Sequence, residues 1–260
     1  MSDKSDLIVS LYQRGMSSHI KVIAAILFLF CFGFTVTGSA QSFKDTRNKA
    51  WKIYEGHELT FYCGCSYTRK GNRGILNLEA CGYKVRKNVK RASKMEWEHV
   101  VPAWELGHKL PCWKEGTDMT DTNGRENCKK DSEFWSMYTN LHNLVPAIGE
   151  VNGDRSNFPF AILEEVSNYG ECDVEIKYLG GQAFPRGKVE PPEGARGAIG
   201  RIYLYMLDKY KFDLDIEQQN LFRKWNELHA VTDWECERDR RIAKEQGEHN
   251  KFVKEKCPND

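Results

Sequence analysis

The chain is 260 residues long, 40% hydrophobic and 29% charged, with 38 Lys+Arg set against 37 Asp+Glu. That composition suits one or two globular domains with a sizeable core and excludes a disordered polar chain, a collagen-like array and a multi-span membrane protein. A formal net charge of +1 gives little long-range attraction to nucleic acid, so a partner of that kind must be held by a local basic surface.

The first element in chain order is the uncharged run from Val22 to Val36, preceded by Arg14 and Lys21 and followed by Gly38-Ser39-Ala40. A basic flank, a short apolar stretch and a small-x-small triplet are the parts of a signal peptide. The run is shorter than the roughly 20 apolar residues that span a bilayer, a retained anchor being the competing reading. Residues 1–40 are therefore expected to be removed, with Met16 as an alternative start. The product is an exported chain in the periplasm or the medium, with no membrane anchor. Residues 1–40 carry the net +1 themselves, which leaves residues 41–260 neutral.

Export also removes Cys31 and leaves eight cysteines: Cys63, Cys65, Cys81, Cys112, Cys128, Cys172, Cys236 and Cys257. An even number suits complete oxidation outside the cytoplasm. Cys63-Gly64-Cys65 lacks the C-x2-C spacing of common structural zinc sites, and no second matching pair follows, so disulfides are favoured over zinc thiolates.

No repeat, low-complexity block or long linker divides residues 41–260, and one domain is expected. Ser42-Phe43-Lys44-Asp45 has the spacing of a capping box and opens a helical pattern carrying Ala50, Trp51 and Tyr54. Aromatics, glycines and cysteines from Leu59 to Val85 read as short strands and turns. Six basic residues and no acid follow between Lys84 and Lys94: Lys84, Arg86, Lys87, Lys90, Arg91 and Lys94. Such a run is commonly a solvated face, but its position immediately before the chemically densest segment favours a track for phosphates, with Tyr67, Arg69, Lys70 and Arg73 nearby in sequence. Glu96 to Asn157 is rich in Trp, His, Asn and acids with few long apolar periods, and reads as loop-rich. Helical spacing returns at Ala198 to Tyr210 and Ile216 to Leu228. It returns again after Thr232-Asp233-Trp234-Glu235, a second capping-box pattern whose helix Gly247 would end. The fold class is α+β, with helix dominating the C-terminal third.

Several chemistries lack their fingerprint. There is no G-x-S-x-G elbow, no P-loop and no H-E-x-x-H, and oxidation disfavours a thiol nucleophile. What stands out is Glu96-Trp97-Glu98-His99-Val100-Val101-Pro102-Ala103-Trp104, then Asn140-Leu141-His142-Asn143-Leu144-Val145-Pro146-Ala147, then Ile148 to Asn157, with Gly124-Arg125-Glu126-Asn127-Cys128 between. A neutral histidine takes a proton from water. A carboxylate with an amide oxygen makes a sparse hard site suited to Mg2+, and arginine offers a fork for phosphate. Together these suit metal-assisted phosphodiester hydrolysis; the plainer reading is a chance grouping.

The segments E-W-E-H-V-V-P-A-W and L-H-N-L-x-P-A-I-G-E-V-N-G-D-R-S-N resemble the bacterial endonuclease I family of periplasmic or secreted nucleases. So do Phe61-Tyr62-Cys63-Gly64-Cys65, Cys81-Gly82-Tyr83 and Trp234-Glu235-Cys236. The resemblance implies a ββα-metal (His-Me finger) site, sequence-independent cleavage of double- and single-stranded DNA and of RNA, one Mg2+ and oxidised cysteines. Carried over to this chain, it implies His99 as general base, Glu98 and Asn152 as metal ligands and Arg125 as the phosphate-contacting arginine, in a monomeric enzyme that leaves 5′-phosphates. Between Cys112 and Cys128 the chain is longer than the family pattern and adds Asp118 and Asp121, which makes Arg125 the assignment most in need of structural support. A Cys112–Cys128 disulfide is expected to close the loop that presents Arg125.

Neighbours on a regular strand point to opposite faces, so Glu98 and His99 share a site only if the backbone bends, and Pro102 marks where. His142 and Asn143 are expected to support a turn or orient the site. Asp154, Arg155 and Asn157 stand between DNA contact and structural pairing. His57, His108, His229 and His249 show no partner pattern. Two further functions compete: an exported disulfide-rich nucleic-acid-binding protein without catalysis, and a zinc hydrolase using His99, His142 and an acid.

Overall fold

In the computed structural model, the described residues are 42–115, 121–163, 169–179 and 187–258; the expected signal segment, Cys31 and Asp118 lie outside them. Helix α1 (Phe43–Ile53) starts at the capping box read from sequence: the Ser42 hydroxyl accepts the Asp45 N–H at 3.2 Å, and the Asp45 carboxylate accepts the Ser42 N–H at 3.1 Å. Its buried Trp51 packs with Tyr67 and Met95 and meets Trp97 edge-on.

Four antiparallel strands follow in the order β1 (Tyr67–Lys70), β2 (Arg73–Leu76), β3 (Lys94–His99) and β4 (Leu144–Ile148). The short helix α2 (Val89–Ala92) leads into β3. Five residue pairs join β3 to β4, from Met95↔Ile148 to His99↔Leu144. Pro146 is tolerated because β4 lies at the sheet edge. With no intervening residue β4 passes into α7 (Gly149–Arg155), so β3, β4 and α7 form a ββα unit.

The connection between β3 and β4 is where the sequence reading needs correction. Instead of loops it holds α3 (Ala103–Gly107), α4 (Pro111–Lys114), α5 (Asp121–Cys128) and α6 (Ser132–Tyr138). Each is too short to display a repeated apolar period. Asp131 caps α6 by accepting the Phe134 N–H at 2.9 Å.

A hairpin of β5 (Glu175–Tyr178) and β6 (Gly187–Glu190) precedes the helical third: α8 (Glu193–Tyr210), α9 (Ile216–Leu228), α10 (Asp233–Gln246) and α11 (Lys251–Lys254). Helix α8 begins five residues before the expected Ala198, because its first turn carries polar residues and glycine that add nothing to an apolar stripe. Its buried Ile199, Ile202, Tyr203 and Met206 share a core with Phe222 and Trp225 of α9, and the Tyr203 and Phe222 rings stack at 3.9 Å. Helix α10 has the expected capping box at Thr232 and ends at Gly247 in the left-handed region, φ 87°.

All eight cysteines after the expected signal are paired: Cys63–Cys172, Cys65–Cys81, Cys112–Cys128 and Cys236–Cys257. The two sulfurs of the C-x-C therefore enter different bridges, and the expected Cys112–Cys128 pair is present. Among the described residues no helix is long and apolar enough to cross a membrane.

Candidate active site

A cavity of about 390 Å3 opens where β3 ends, walled by α6, α7 and α5; Glu98, His99, Arg125, Tyr138, Asn152 and Arg155 are among its lining residues. The pairing register is regular through His99↔Leu144, and the chain turns only at Val100 and Val101. The buried Asn143 side chain holds that turn, accepting the Val101 N–H at 2.7 Å and donating to the Val101 carbonyl at 2.9 Å. Glu98 and His99 share the cavity because it wraps the strand's last two residues. The expected bend thus falls just after them, not between them.

His99 is fixed by a backbone atom. Its Nε2 lies 2.8 Å from the Tyr138 carbonyl. A carbonyl only accepts, so Nε2 carries the proton and Nδ1 keeps its lone pair. Tyr138 is the last residue of α6, where helix carbonyls lose their intrahelical partners; the imidazole takes up one of these. The ring stacks on Tyr138 at 4.4 Å and on Phe43 at 5.8 Å. Burial, with Arg125, Arg155 and Lys129 adding to it and the Tyr138 hydrogen bond opposing it, lowers the imidazole pKa to about 4, so the ring is neutral at neutral pH.

Glu98 is 4% exposed, and its Oε1 has no hydrogen-bond partner. Burial raises its pKa to about 7 against the pull of Arg155, whose Nη1 lies 3.5 Å from Oε1. Arg155, 1% exposed, also donates to the carbonyls of Val100 at 2.6 Å and His99 at 3.4 Å. It therefore binds the C-terminal end of α7 to the end of β3. Of the two roles read from sequence, the structural pairing is the one these contacts display.

Asn152, in the middle of α7, donates from Nδ2 to Glu96 Oε2 at 2.9 Å. Asn152 lines the cavity, and with Nδ2 engaged its Oδ1 is the end available to a cation. The Glu98 carboxylate, whose Oε1 has no hydrogen bond and only the Arg155 guanidinium near it, and this amide oxygen form a sparse, hard donor pair, which fits Mg2+. Among the described residues no group of three His, Cys, Asp or Glu comes together as a softer or fully caged metal would require. His142 lines a separate cavity with Arg238 and Asp239, and its Nε2 meets the Glu248 carbonyl at 3.0 Å. A zinc site shared by His99 and His142 therefore has no geometric basis.

Arg125 reaches the cavity from the last turn of α5, three residues before the bridged Cys128. Its Nε is buried without a hydrogen-bond partner, and the residue lines the cavity beside Glu98 and His99. The glycine before it packs on Trp113: a Cβ at Gly124 would come within 2.5 Å of the indole. Disulfide and indole together fix the arginine despite the long Cys112–Cys128 segment.

The basic run is less free than its sequence suggests. Arg86 pairs with Asp154 at 2.6 Å, Lys87 with the same carboxylate at 3.0 Å, and Arg91 with Glu96. Buried Glu150 accepts the backbone N–H groups of Arg86, Lys87 and Asn88 at 3.0, 2.7 and 2.5 Å and the Tyr83 hydroxyl at 2.9 Å. Burial pushes its pKa up, but these donors outweigh it and the net shift is downward. Lys84, Lys90 and Lys94 are exposed and have no acidic partner among the described residues. The run thus divides into three cations folded onto α7 or β3 and three open to solvent.

Tyr138, Glu96 and Glu150 carry no role in the sequence reading, and Arg155 carries only the open choice between DNA contact and structural pairing. Tyr138 acts through a main-chain carbonyl that any residue type supplies; Glu96, Glu150 and Arg155 act through contacts made across the fold. Of the remaining histidines, His57 stacks on Trp234 at 3.7 Å, His108 on Trp104 at 3.8 Å, and His249 meets Asp239 at 2.6 Å. These are packing and pairing roles. As a whole, the cavity sets a neutral imidazole, a hard oxygen pair and a guanidinium around one space, the components for activating water against a phosphodiester.

The Endonuclease I family model matches residues 34–257. The chain is 45% identical to Endonuclease-1 of Buchnera aphidicola (subsp. Acyrthosiphon pisum) over 84% of its length and 82% of that protein's. It is 44% identical to a periplasmic deoxyribonuclease of Aeromonas hydrophila over 84% of its length and 87% of the relative's. An extracellular deoxyribonuclease of the same species is also 44% identical, over 84% of this chain and 90% of its own.

Proposed function

Since the chain belongs to the endonuclease I family, we propose that it is an exported, sequence-independent endonuclease. It hydrolyses phosphodiester bonds of double- and single-stranded DNA and of RNA, uses one Mg2+, and leaves 5′-phosphates. The relatives' names, periplasmic and extracellular deoxyribonuclease, support both the substrate and a place in the periplasm or the medium. Cleavage of residues 1–40 as a signal peptide belongs to the same reading, as does action as a monomer.

One observation carries the mechanism: the Tyr138 carbonyl holds the His99 proton on Nε2, so Nδ1 faces the chemistry as a base. His99 takes a proton from the water that attacks phosphorus, and the Tyr138 carbonyl and stacked ring stabilise the imidazolium that forms. The phosphate brings negative charge beside the ring, which raises the lowered imidazole pKa toward the range where it accepts a proton well. Arg125 donates to a non-bridging oxygen. Glu98 and Asn152 would hold Mg2+, which when bound supplies positive charge to the pentacovalent phosphate and to the leaving 3′ oxygen. Arg155 keeps the buried Glu98 carboxylate in place. Contacts to phosphate in place of base edges leave cleavage indifferent to sequence.

The test is nicking of supercoiled plasmid by the oxidised protein with Mg2+, lost on EDTA addition. End-group labelling of the products should find phosphate on 5′ ends and hydroxyl on 3′ ends. An intact plasmid across pH and salt would instead favour the non-catalytic binding protein.

A further inference from the structure

We infer that Glu96 is a positioning residue for the metal site: it sets which end of the Asn152 side chain faces the metal. The inference rests on the Mg2+ reading above and extends it to a residue with no assigned role. An amide side chain has two nearly isosteric ends, and only its oxygen can ligate a cation. Nothing in Asn152 itself chooses between them. The Glu96 carboxylate chooses, because an ionised carboxylate accepts and does not donate. It takes the Nδ2 end at 2.9 Å, which leaves Oδ1 as the ligating end in the cavity that Asn152 and Glu98 both line.

Glu96 is itself held by Arg91, which donates to both carboxylate oxygens, from Nε to Oε1 at 3.2 Å and from Nη2 to Oε2. Two glycines on one face of α7 make room for this arrangement. A Cβ at Gly149 would lie 2.8 Å from Glu96 Oε1 and 2.6 Å from the Arg91 carbonyl; a Cβ at Gly153 would lie 1.9 Å from Arg91 Nη1. The helix backbone therefore comes close enough for a β3 carboxylate and an α2 guanidinium to reach across to Asn152. The chain Arg91–Glu96–Asn152 is a supporting layer behind a ligand, the kind of contact whose loss weakens metal binding by about 10- to 100-fold.

The test measures Mg2+ binding calorimetrically to the full oxidised protein without nucleic acid, in a double-mutant cycle of Glu96→Ala and Asn152→Asp. Glu96→Gln, close in shape, guards against a folding failure, and thermal melts verify that each variant is folded. In the Asn152 background Glu96→Ala should weaken Mg2+ by about 10-fold or more. Glu96→Gln should fall between, because its amide can face Asn152 either way. In the Asn152→Asp background there is no amide end to choose and the two carboxylates repel, so Glu96→Ala should leave affinity unchanged or improve it. An equal loss from Glu96→Ala in both backgrounds, or no loss in either, overturns the positioning role. No Mg2+ binding by the wild-type protein overturns the metal reading itself, and this role with it.

Discussion

The His99 Nε2–H points at the main-chain carbonyl of Tyr138, 2.8 Å away, at the C-terminal end of a seven-residue helix. Because the partner is a backbone atom, no substitution at position 138 removes it while the helix stands, and the tautomer of His99 is set by fold.

The pH dependence follows from two opposite shifts. Burial lowers His99 to about 4, so its neutral form persists as pH falls well below the usual histidine value and is lost through about 4 in the free enzyme. Burial raises Glu98 to about 7, so in the metal-free protein a proton competes with the cation as pH falls through that value. At saturating Mg2+ the cation displaces that proton, and the acid limb of kcat/KM should lie below pH 6. At limiting Mg2+ it should move up toward pH 7. Profiles recorded at the two concentrations check this; superimposed acid limbs would contradict the Glu98 assignment.

Arg155→Leu removes the countercharge from a carboxylate that is 4% exposed. Breaking a buried pair from one side costs about 3–5 kcal/mol. Glu98 has a raised folded-state pKa, so this cost is largest above that pKa, where the carboxylate must be charged, and shrinks as pH falls below it and the group takes up a proton. Urea melts of the metal-free variant should show a larger loss at pH 8 than at pH 5.

The divided basic run predicts two different phenotypes. Replacing Lys84, Lys90 and Lys94 with Gln should leave the melting temperature near wild type and reduce the salt slope of DNA binding, by about one for each lysine that contacts a phosphate. Arg86→Ala should instead lower stability, because it strips Asp154 of a 2.6 Å partner. Salt titrations of DNA affinity alongside thermal melts separate the two groups.

Replacing Cys112 and Cys128 with Ser opens a bridge of sequence separation 16. Loop entropy for a closure of that length is about 3 kcal/mol. Arg125 lies three residues from Cys128, so KM for plasmid should rise along with the loss in stability. An unchanged KM would detach Arg125 from the substrate.

The sequence made the local features readable and left the long-range ones hidden. Both capping boxes, at Ser42 and Thr232, sit where their spacing put them, and Gly247 ends α10. The long amphipathic helices α8 and α9 show their period; the helices between β3 and β4 have too few turns to do so. His99, Glu98, Asn152 and Arg125 were found by resemblance, and the fold brings all four to one cavity. The cations Arg86, Lys87 and Arg91 looked free because Asp154 and Glu96, which neutralise them, lie outside the run itself. Tyr138 could not be found at all, because its contribution is a carbonyl.

The central claim, that His99 is the general base of a metal-dependent nuclease, is tested most directly by comparing wild type and His99→Ala in plasmid cleavage at saturating Mg2+, with DNA affinity measured in parallel. The expected result is a loss of cleavage of about 10²- to 10⁴-fold, in the range of a general base, with affinity for plasmid little changed. Cleavage at the wild-type rate by His99→Ala would contradict it.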